Sequence, residues 1–256
     1  MSENSPKARS RLAGLAQTLA RTCAALTLTL VLAACGSFGF GPTITGSGNT
    51  VTKQFALTNF SGVSAGSTFQ VSVSPGPSPS VAVTVDDNLA PYLDVTVSGA
   101  RLHLDLKPNV NLRNATLKAV VTVPELTALE LSGASKGVLE DCRAGKSIDI
   151  EVSGASRLEG TLESHDTRLS LSGASHADLK GTAGDLRVNV SGASHLDLGQ
   201  FLTKDSVVEA SGASHALVNP SGKLKARASG ASSIRYAGQP TTVDSESSGA
   251  SSVKAR

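Results

Sequence analysis

Seven copies of the tetrapeptide Ser-Gly-Ala-Ser punctuate the second half of this chain, with glycines at Gly133, Gly154, Gly173, Gly192, Gly212, Gly230 and Gly249. The intervals are 21, 19, 19, 20, 18 and 19 residues. A period this regular requires one supersecondary unit stacked on copies of itself, because a single short unit cannot bury its own apolar face.

Aligning the copies on their glycine shows what each unit builds. Two, four and six residues before it the chain is apolar, as in Val152, Ile150, Ile148 and in Val190, Val188, Leu186, while the positions between are polar, as in Ser153, Glu151, Asp149. After the motif a second short alternation follows, apolar at four and six residues past the glycine, as in Ala177 and Leu179 or Leu196 and Leu198. A period of two with one apolar side is the pattern of a half-buried strand. Each repeat therefore reads as strand, corner, strand. Glycine supplies the corner because it lacks the Cβ that penalises positive φ, and Ala and Ser are small enough to stack where the backbone bends.

An antiparallel hairpin uses about 8 to 12 residues per strand and turn, whereas one circuit of a coil with parallel rungs needs nearly twice that. The expected fold is all-β: a single-stranded parallel β-helix, or solenoid, of about 19-residue rungs, with a right-handed coil as the expectation. At roughly 4.8 Å per rung, seven repeats make a rod about 30 Å long. No helix is expected outside the leader. Only 3% of residues are aromatic and there is no Trp, so the core must be a narrow column of Val, Leu, Ile and Ala. That column tapers, since the inward position two before the glycine runs from Leu131 and Val152 to Ala210, Ala228 and Ser247. The C-terminal rungs are expected to be the least stable, and an uncapped end offers strand edges through which copies of the chain can associate.

The N-terminus carries a second signal. Lys7, Arg9, Arg11 and Arg21 precede a largely apolar stretch from Cys23 to Ala34, too short to span a bilayer comfortably and typical of a secretory leader. It ends Leu32-Ala33-Ala34-Cys35. These residues resemble the lipobox of bacterial lipoproteins, which implies cleavage after residue 34, acylation of Cys35 and a membrane anchor through the lipid. Gly36, rather than Asp, follows the cysteine; by the same resemblance this implies the outer membrane of a Gram-negative envelope. The predicted organisation is a signal peptide over 1–34, a flexible tether over 35–59, and a β-helix over 60–256, with 60–127 as opening rungs or cap and 128–256 as the Ser-Gly-Ala-Ser repeats.

With Cys23 removed and Cys35 acylated, Cys142 is left as a lone thiol, expected to be exposed or half-buried in the turn region between the first two repeats, and no intramolecular disulfide can form. The leader holds four of the 23 basic residues and one of the 21 acidic residues, so the mature chain has 19 and 20 and a net charge of −1. No basic cluster with interleaved aromatics remains, and nucleic acid is excluded as a partner.

Between residues 60 and 127 the chain also alternates, in FSGVSAGSTFQVSVSPGPSPSVAVTVDDNLAPYLDVTVSGARLHLDLK, with elements separated by Pro75–Pro79, Asp86–Pro91 and Lys107–Asn114, but without the Ser-Gly-Ala-Ser corner. This opening, with Asn88-Leu89, the GARLHLDL strand and the glycine corners that follow, resembles the GIN head domain of autotransporter adhesins, a domain of unknown function, over about Phe60 to Arg256. The resemblance implies a β-helix of two main sheets, related in shape to pectin lyases but without their catalytic residues, and a role in adhesion. Ending at Arg256 straight after the last repeat, the chain is expected to rely on its lipid rather than on a C-terminal barrel.

The remaining candidate is a ladder three and five residues past each glycine: Lys136; Arg157 and Glu159; His176 and Asp178; His195 and Asp197; His215; then Ser233 and Arg235. Period two puts these side chains on the outer face, where in-register stacking sets three imidazoles one rung apart beside two carboxylates. Such a surface can hold a sugar or another polar ligand; a metal site needs converging rather than parallel ligands, and none is assigned. The alternative is a solvated face repeated because the repeat was duplicated. The string Gly133-Ala-Ser-Lys-Gly137 satisfies a Gly-x-Ser-x-Gly pattern, but a nucleophile elbow needs a strand entering a helix and His and acid partners, so Ser135 is not a nucleophile candidate. Three readings follow: a non-catalytic, lipid-anchored binding module for glycan or protein surfaces, without cofactor; a polysaccharide lyase or hydrolase; and a structural or sensory protein that binds another envelope component. Rungs held to 18 to 21 residues leave little chain for the long loops that build a catalytic groove, which weighs against the second reading and is equally compatible with the first and the third; adhesion is the expected task.

Overall fold

The Ser-Gly-Ala-Ser corners fall into one column running along the molecule. At each corner the glycine takes a left-handed conformation, φ +70° at Gly133 and +72° to +76° from Gly173 to Gly249. The alanine N–H then donates to the glycine carbonyl one rung back, at 2.8 Å in Ala155→Gly133, Ala174→Gly154, Ala193→Gly173 and Ala213→Gly192. The inter-rung ladder thus continues through the bend, and no backbone group is left orphaned where the chain turns. This is a computed structural model, and it describes residues 41–256; the leader, the lipobox and Cys35 lie outside the described residues.

Between corners the chain runs as long bent strands: β10 (Ala128–Leu131) before the first corner, then β11 (Lys136–Val152), β12 (Arg157–Leu171), β13 (His176–Val190) and β14 (His195–Ala210). All pair in parallel, rung on rung, as Leu129↔Ile150 and Ile150↔Leu169 illustrate. The last two rungs break into shorter pieces: β15 (His215–Pro220), β16 (Lys223–Ala228), β17 (Ser233–Tyr236), β18 (Thr242–Ser247) and β19 (Ser252–Ala255). The result is the expected all-β parallel solenoid, its apolar rows turned into a single buried column from Val63 to Ile234.

A third residue of the motif contributes more than small size. The last serine of each of the first six corners is buried: Ser135, Ser156, Ser175, Ser194, Ser214 and Ser232 are each 2% exposed or less. Its hydroxyl reaches backbone carbonyls, as in Ser214 Oγ to Ser211 O at 2.8 Å and to Val190 O at 3.2 Å, and Ser232 Oγ to Ser229 O at 2.8 Å and to Ala210 O at 3.0 Å. The serine ladder fastens the corners at Ser135, Ser214 and Ser232 both to themselves and to the rung before, and those at Ser175 and Ser194 to the rung before.

The opening segment departs from simple stacking in chain order. Strands β1 (Thr43–Thr45), β2 (Thr50–Phe55), β3 (Gly62–Ala65), β4 (Gln70–Pro75), β5 (Ser80–Asp86), β6 (Leu93–Ser98), β7 (Arg101–Leu106), β8 (Asn111–Arg113) and β9 (Leu117–Val123) build it. β3 and β4 form the rung directly beneath β10 and β11, while β7 and β9, later in sequence, pair in parallel on the far side of β3 and β4. The corner of that inserted rung is Ala65-Gly66-Ser67, which lacks the Ser-Gly-Ala-Ser pattern. Ser67 takes the glycine place, with φ +56° and its carbonyl accepting the N–H of Ala134 at 2.8 Å. Antiparallel β5 on β9, β2 on β5 and β6 on β7 complete this end. Asp86, 0% exposed, ties the cap together by accepting the N–H groups of Gly48 at 2.9 Å and Thr116 at 2.7 Å.

Three expectations need correction. One 3₁₀ turn, Asp87–Tyr92, stands where no helix was expected; Pro91 fixes φ there and Leu89 is buried beneath it. Part of the stretch expected to be a flexible tether carries strands, since β1 pairs with β8 and β2 with β5. Cys142 is fully buried, 2% exposed, rather than exposed or half-buried. A register shift between Leu139 and Cys142, with Asp141 at φ +50°, inverts the alternation there and turns the thiol inward. At the other end the taper is as expected. Ala210 and Ala228 are buried, whereas every residue of β18 is exposed, Val243 at 41%.

Candidate functional site

The outward ladder occupies the arm that follows each corner. There His176 pairs with His195 and His195 with His215, and on the same strands Glu159 pairs with Asp178 and Asp178 with Asp197. These side chains point outward because Ala177, Leu196 and Ala216, between them in sequence, point into the column and are 3% exposed or less. The His176 and His195 rings stack with centroids 5.0 Å apart and planes 6° from parallel, and His215 follows at 6.2 Å with a 37° tilt. The spacing is set by the sheet itself, since neighbouring strands lie about 4.8 Å apart.

The five ladder residues His176, Asp178, His195, Asp197 and His215 therefore share one face. Stacked rings present parallel rather than converging nitrogens, and among the described residues no group of three His, Cys, Asp or Glu side chains is placed to hold a metal ion. The pKa of His176 is lowered from the ordinary 6.5, first by partial burial, then by the positive charge of Arg157 and by His195, with Asp178 and Glu159 acting in the opposite direction. Arg157 and Lys136 are themselves drawn to Glu159, at 3.4 and 3.9 Å.

The acidic column does not continue to the end of the rod. In register order it reads Glu159, Asp178, Asp197, then Leu217, Arg235 and Lys254. A shallow depression of about 270 Å³ lies over this change of sign, lined by His195, Asp197, His215, Leu217, Arg235 and Arg256 among others. Asp197 is held by the N–H of Gly199, which donates to its Oδ1 at 2.9 Å. Leu217 and Arg256 lie outside the ladder that the sequence marks, although the glycine alignment shows Leu217 where Asp178 and Asp197 stand in the two preceding repeats. A larger depression of about 570 Å³ sits on the other arm, but its Arg227 is engaged by Glu246 at 3.1 Å and Glu209 at 3.7 Å.

Ser135 lies in the wall of the rod, 2% exposed, its hydroxyl directed at the carbonyls of Ser132 at 2.7 Å and Gly66 at 2.9 Å. It has neither access nor a histidine partner. No described helix is long and apolar enough to cross a membrane.

Fold and face together define a β-solenoid of short rungs that presents flat, loop-poor polar surfaces. The family model described as "Putative auto-transporter adhesin, head GIN domain" matches residues 59–240, and the chain belongs to that family. Its fold is similar to that of a protein from Bacteroides fragilis titled a putative adhesin, at 20% identity and TM-score 0.78, over 83% of this chain and 100% of that one. It is also similar to a "Putative lipid binding protein" from Parabacteroides distasonis, at 18% identity and TM-score 0.67, over 84% and 100%, and to a putative adhesin from Parabacteroides merdae, at 18% and 0.64, over 84% and 99%. No curated protein matches the sequence.

Proposed function

We propose that the protein is a non-catalytic, adhesin-like binding module of the cell envelope, anchored through a lipid on Cys35, which holds a glycan or protein surface along its histidine–aspartate face. The observation that carries this reading is the in-register column His176–His195–His215, with ring centroids 5.0 and 6.2 Å apart. It is a rigid, repeating set of polar contacts on a surface without projecting loops. A rigid array loses little conformational entropy on engaging a repeating ligand, which is how a flat face gains affinity without a deep pocket. The family membership and the adhesin descriptions of the similar structures support the same class, the lipobox-like Leu32-Ala33-Ala34-Cys35 supports the lipid anchor, and Gly36 after the cysteine supports an outer-membrane address.

The full chain, expressed in a Gram-negative host and taken up in detergent, should retain members of a glycan and matrix-protein panel without shortening them. The triple variant His176→Ala, His195→Ala, His215→Ala should lose that retention while melting within a few degrees of the wild type. Cleavage of a panel polysaccharide would replace this reading with a lyase or hydrolase, and silence across the panel would favour a partner inside the envelope. Cys35→Ser should shift the protein from the membrane to the soluble fraction.

A further inference from the structure

The strand register pairs Asp197 with Leu217 and Leu217 with Arg235, so the carboxylate column of the ladder is interrupted by an apolar side chain and resumes with the opposite charge. Arg235, exposed on β17, is followed one rung on by Lys254, and Arg256 lines the same depression. The ion pairs among the described residues engage Arg101, Lys136, Arg143, His165, Arg157, Arg168 and Arg227, and none involves Arg235, Lys254 or Arg256. This contrasts with the upstream rungs, where Glu159 answers both Lys136 and Arg157. Guanidinium groups without a carboxylate partner, next to two imidazoles and over the Leu217 side chain, form an anion-accepting place with an apolar floor.

From this geometry we infer that the depression between His195 and Arg256 takes the anionic group of an acidic glycan, either a uronate carboxylate or a sulfate ester. The inference rests on the binding-module reading and names its ligand class. Arg235 and Arg256 supply the planar, multiply donating groups that recognise such oxyanions. Leu217 supplies the apolar patch for a sugar ring face, and the ring nitrogens of His195 and His215 are polar contacts for neighbouring hydroxyls. Asp197, already tied to the N–H of Gly199, closes the site on its N-terminal side and repels a second anion. Along the ladder itself the upstream cations Lys136 and Arg157 are answered by Glu159, which places the anion at this end of the ladder and not along its whole length.

The test uses the full chain in detergent against immobilised polygalacturonate, dextran sulfate and uncharged dextran. Retention on polygalacturonate assigns the carboxylate, and retention on dextran sulfate assigns the sulfate. Binding to neither acidic polymer, or equal binding to dextran, overturns the inference. The double variant Arg235→Gln, Arg256→Gln should lower affinity roughly tenfold or more, the loss expected on removing two charge-assisted contacts. Arg187→Gln with Lys225→Gln, on the other arm of the rung, should change it little, and equal losses from both pairs would mean diffuse attraction and no site. Leu217→Glu, which extends the acidic column by one carboxylate, should abolish retention in a protein of unchanged strand signal. If a neutral glycan or a protein is bound through the histidine column while the arginine pair is silent, the binding-module reading survives and this one falls.

Discussion

The carbonyl oxygen of Gly154 lies 2.5 Å from the position a Cβ on Gly173 would occupy, and Gly173 itself sits at φ +76°. Two independent costs thus fall on any side chain at this place: the left-handed backbone disfavours it, and the stacked rung below blocks it. Gly192 stands in the same relation to Gly173, at 2.4 Å. Gly173→Ala is expected to cost about 2 to 5 kcal/mol, the sum of a left-handed conformation and an overpacked contact. Chemical denaturation followed by circular dichroism checks it; a loss no larger than that of an exposed Ser→Ala control would show that the rungs can part to admit a methyl group.

The serine ladder makes a graded prediction. Ser214 is 0% exposed and donates within its corner at 2.8 Å, whereas Ser251 makes the same 2.8 Å contact to Ser248 at the open end of the rod, where it is only partly buried. A hydrogen bond lost in the interior leaves its partner without water, so Ser214→Ala should destabilise by about 1 to 2 kcal/mol. Ser251→Ala should lie near zero, because solvent replaces the hydroxyl. Equal effects at the two sites would mean that the ladder acts through packing alone.

What the sequence made legible was whatever the repeat made periodic. The glycine spacing carried the parallel solenoid, the corners and the inward rows, because each of these is decided by residues within one rung. The rung of β3 and β4 was not legible as part of the stack: its Ala65 lies beside Leu131, 66 positions away, and its corner uses Ser67 where the others use glycine. The burial of Cys142 depends on a single extra residue at Asp141, which alternation cannot foresee. The site divides in the same way. The register of the histidines follows from the period, while the depression over Leu217 depends on where the long Arg235 and Arg256 side chains come to rest.

His176 gives the ladder a pH signature in stability. Burial and the neighbouring Arg157 lower its pKa below 6.5, so between that value and the lowered one the unfolded chain binds more protons than the folded chain. Stability is undiminished above 6.5 and falls as the pH drops through the lowered folded value. Charges facing the ring from the adjoining strands set the size of the effect: Arg157 and His195 depress, Asp178 and Glu159 oppose. Melting temperatures between about pH 7.5 and 5, above the range where carboxylates titrate, should decline for the wild type and decline less for His176→Gln. Parallel curves would remove His176 from the account.

Cys142 should behave as a core residue and not as a reactive thiol. Its Sγ lies 3.2 Å from the carbonyl of Val73, and its pKa is pushed up to about 11, chiefly by burial and further by the carboxylates of Glu140 and Asp141, with a backbone hydrogen bond at Glu140 acting against them. The thiolate is the nucleophile, so both access and ionisation oppose its alkylation near neutral pH. Iodoacetamide applied to the folded protein, with the peptide containing Cys142 followed by mass spectrometry, should leave that peptide unmodified over hours and modify it at once after denaturation. Asp141→Gly, which relieves the φ of +50° without moving the shift, should keep the protection. Deleting Asp141 restores simple alternation, and it should expose the thiol and bring its labelling towards the unfolded rate. Rapid labelling of the native wild type would mean that the inward turn at this bulge opens in solution.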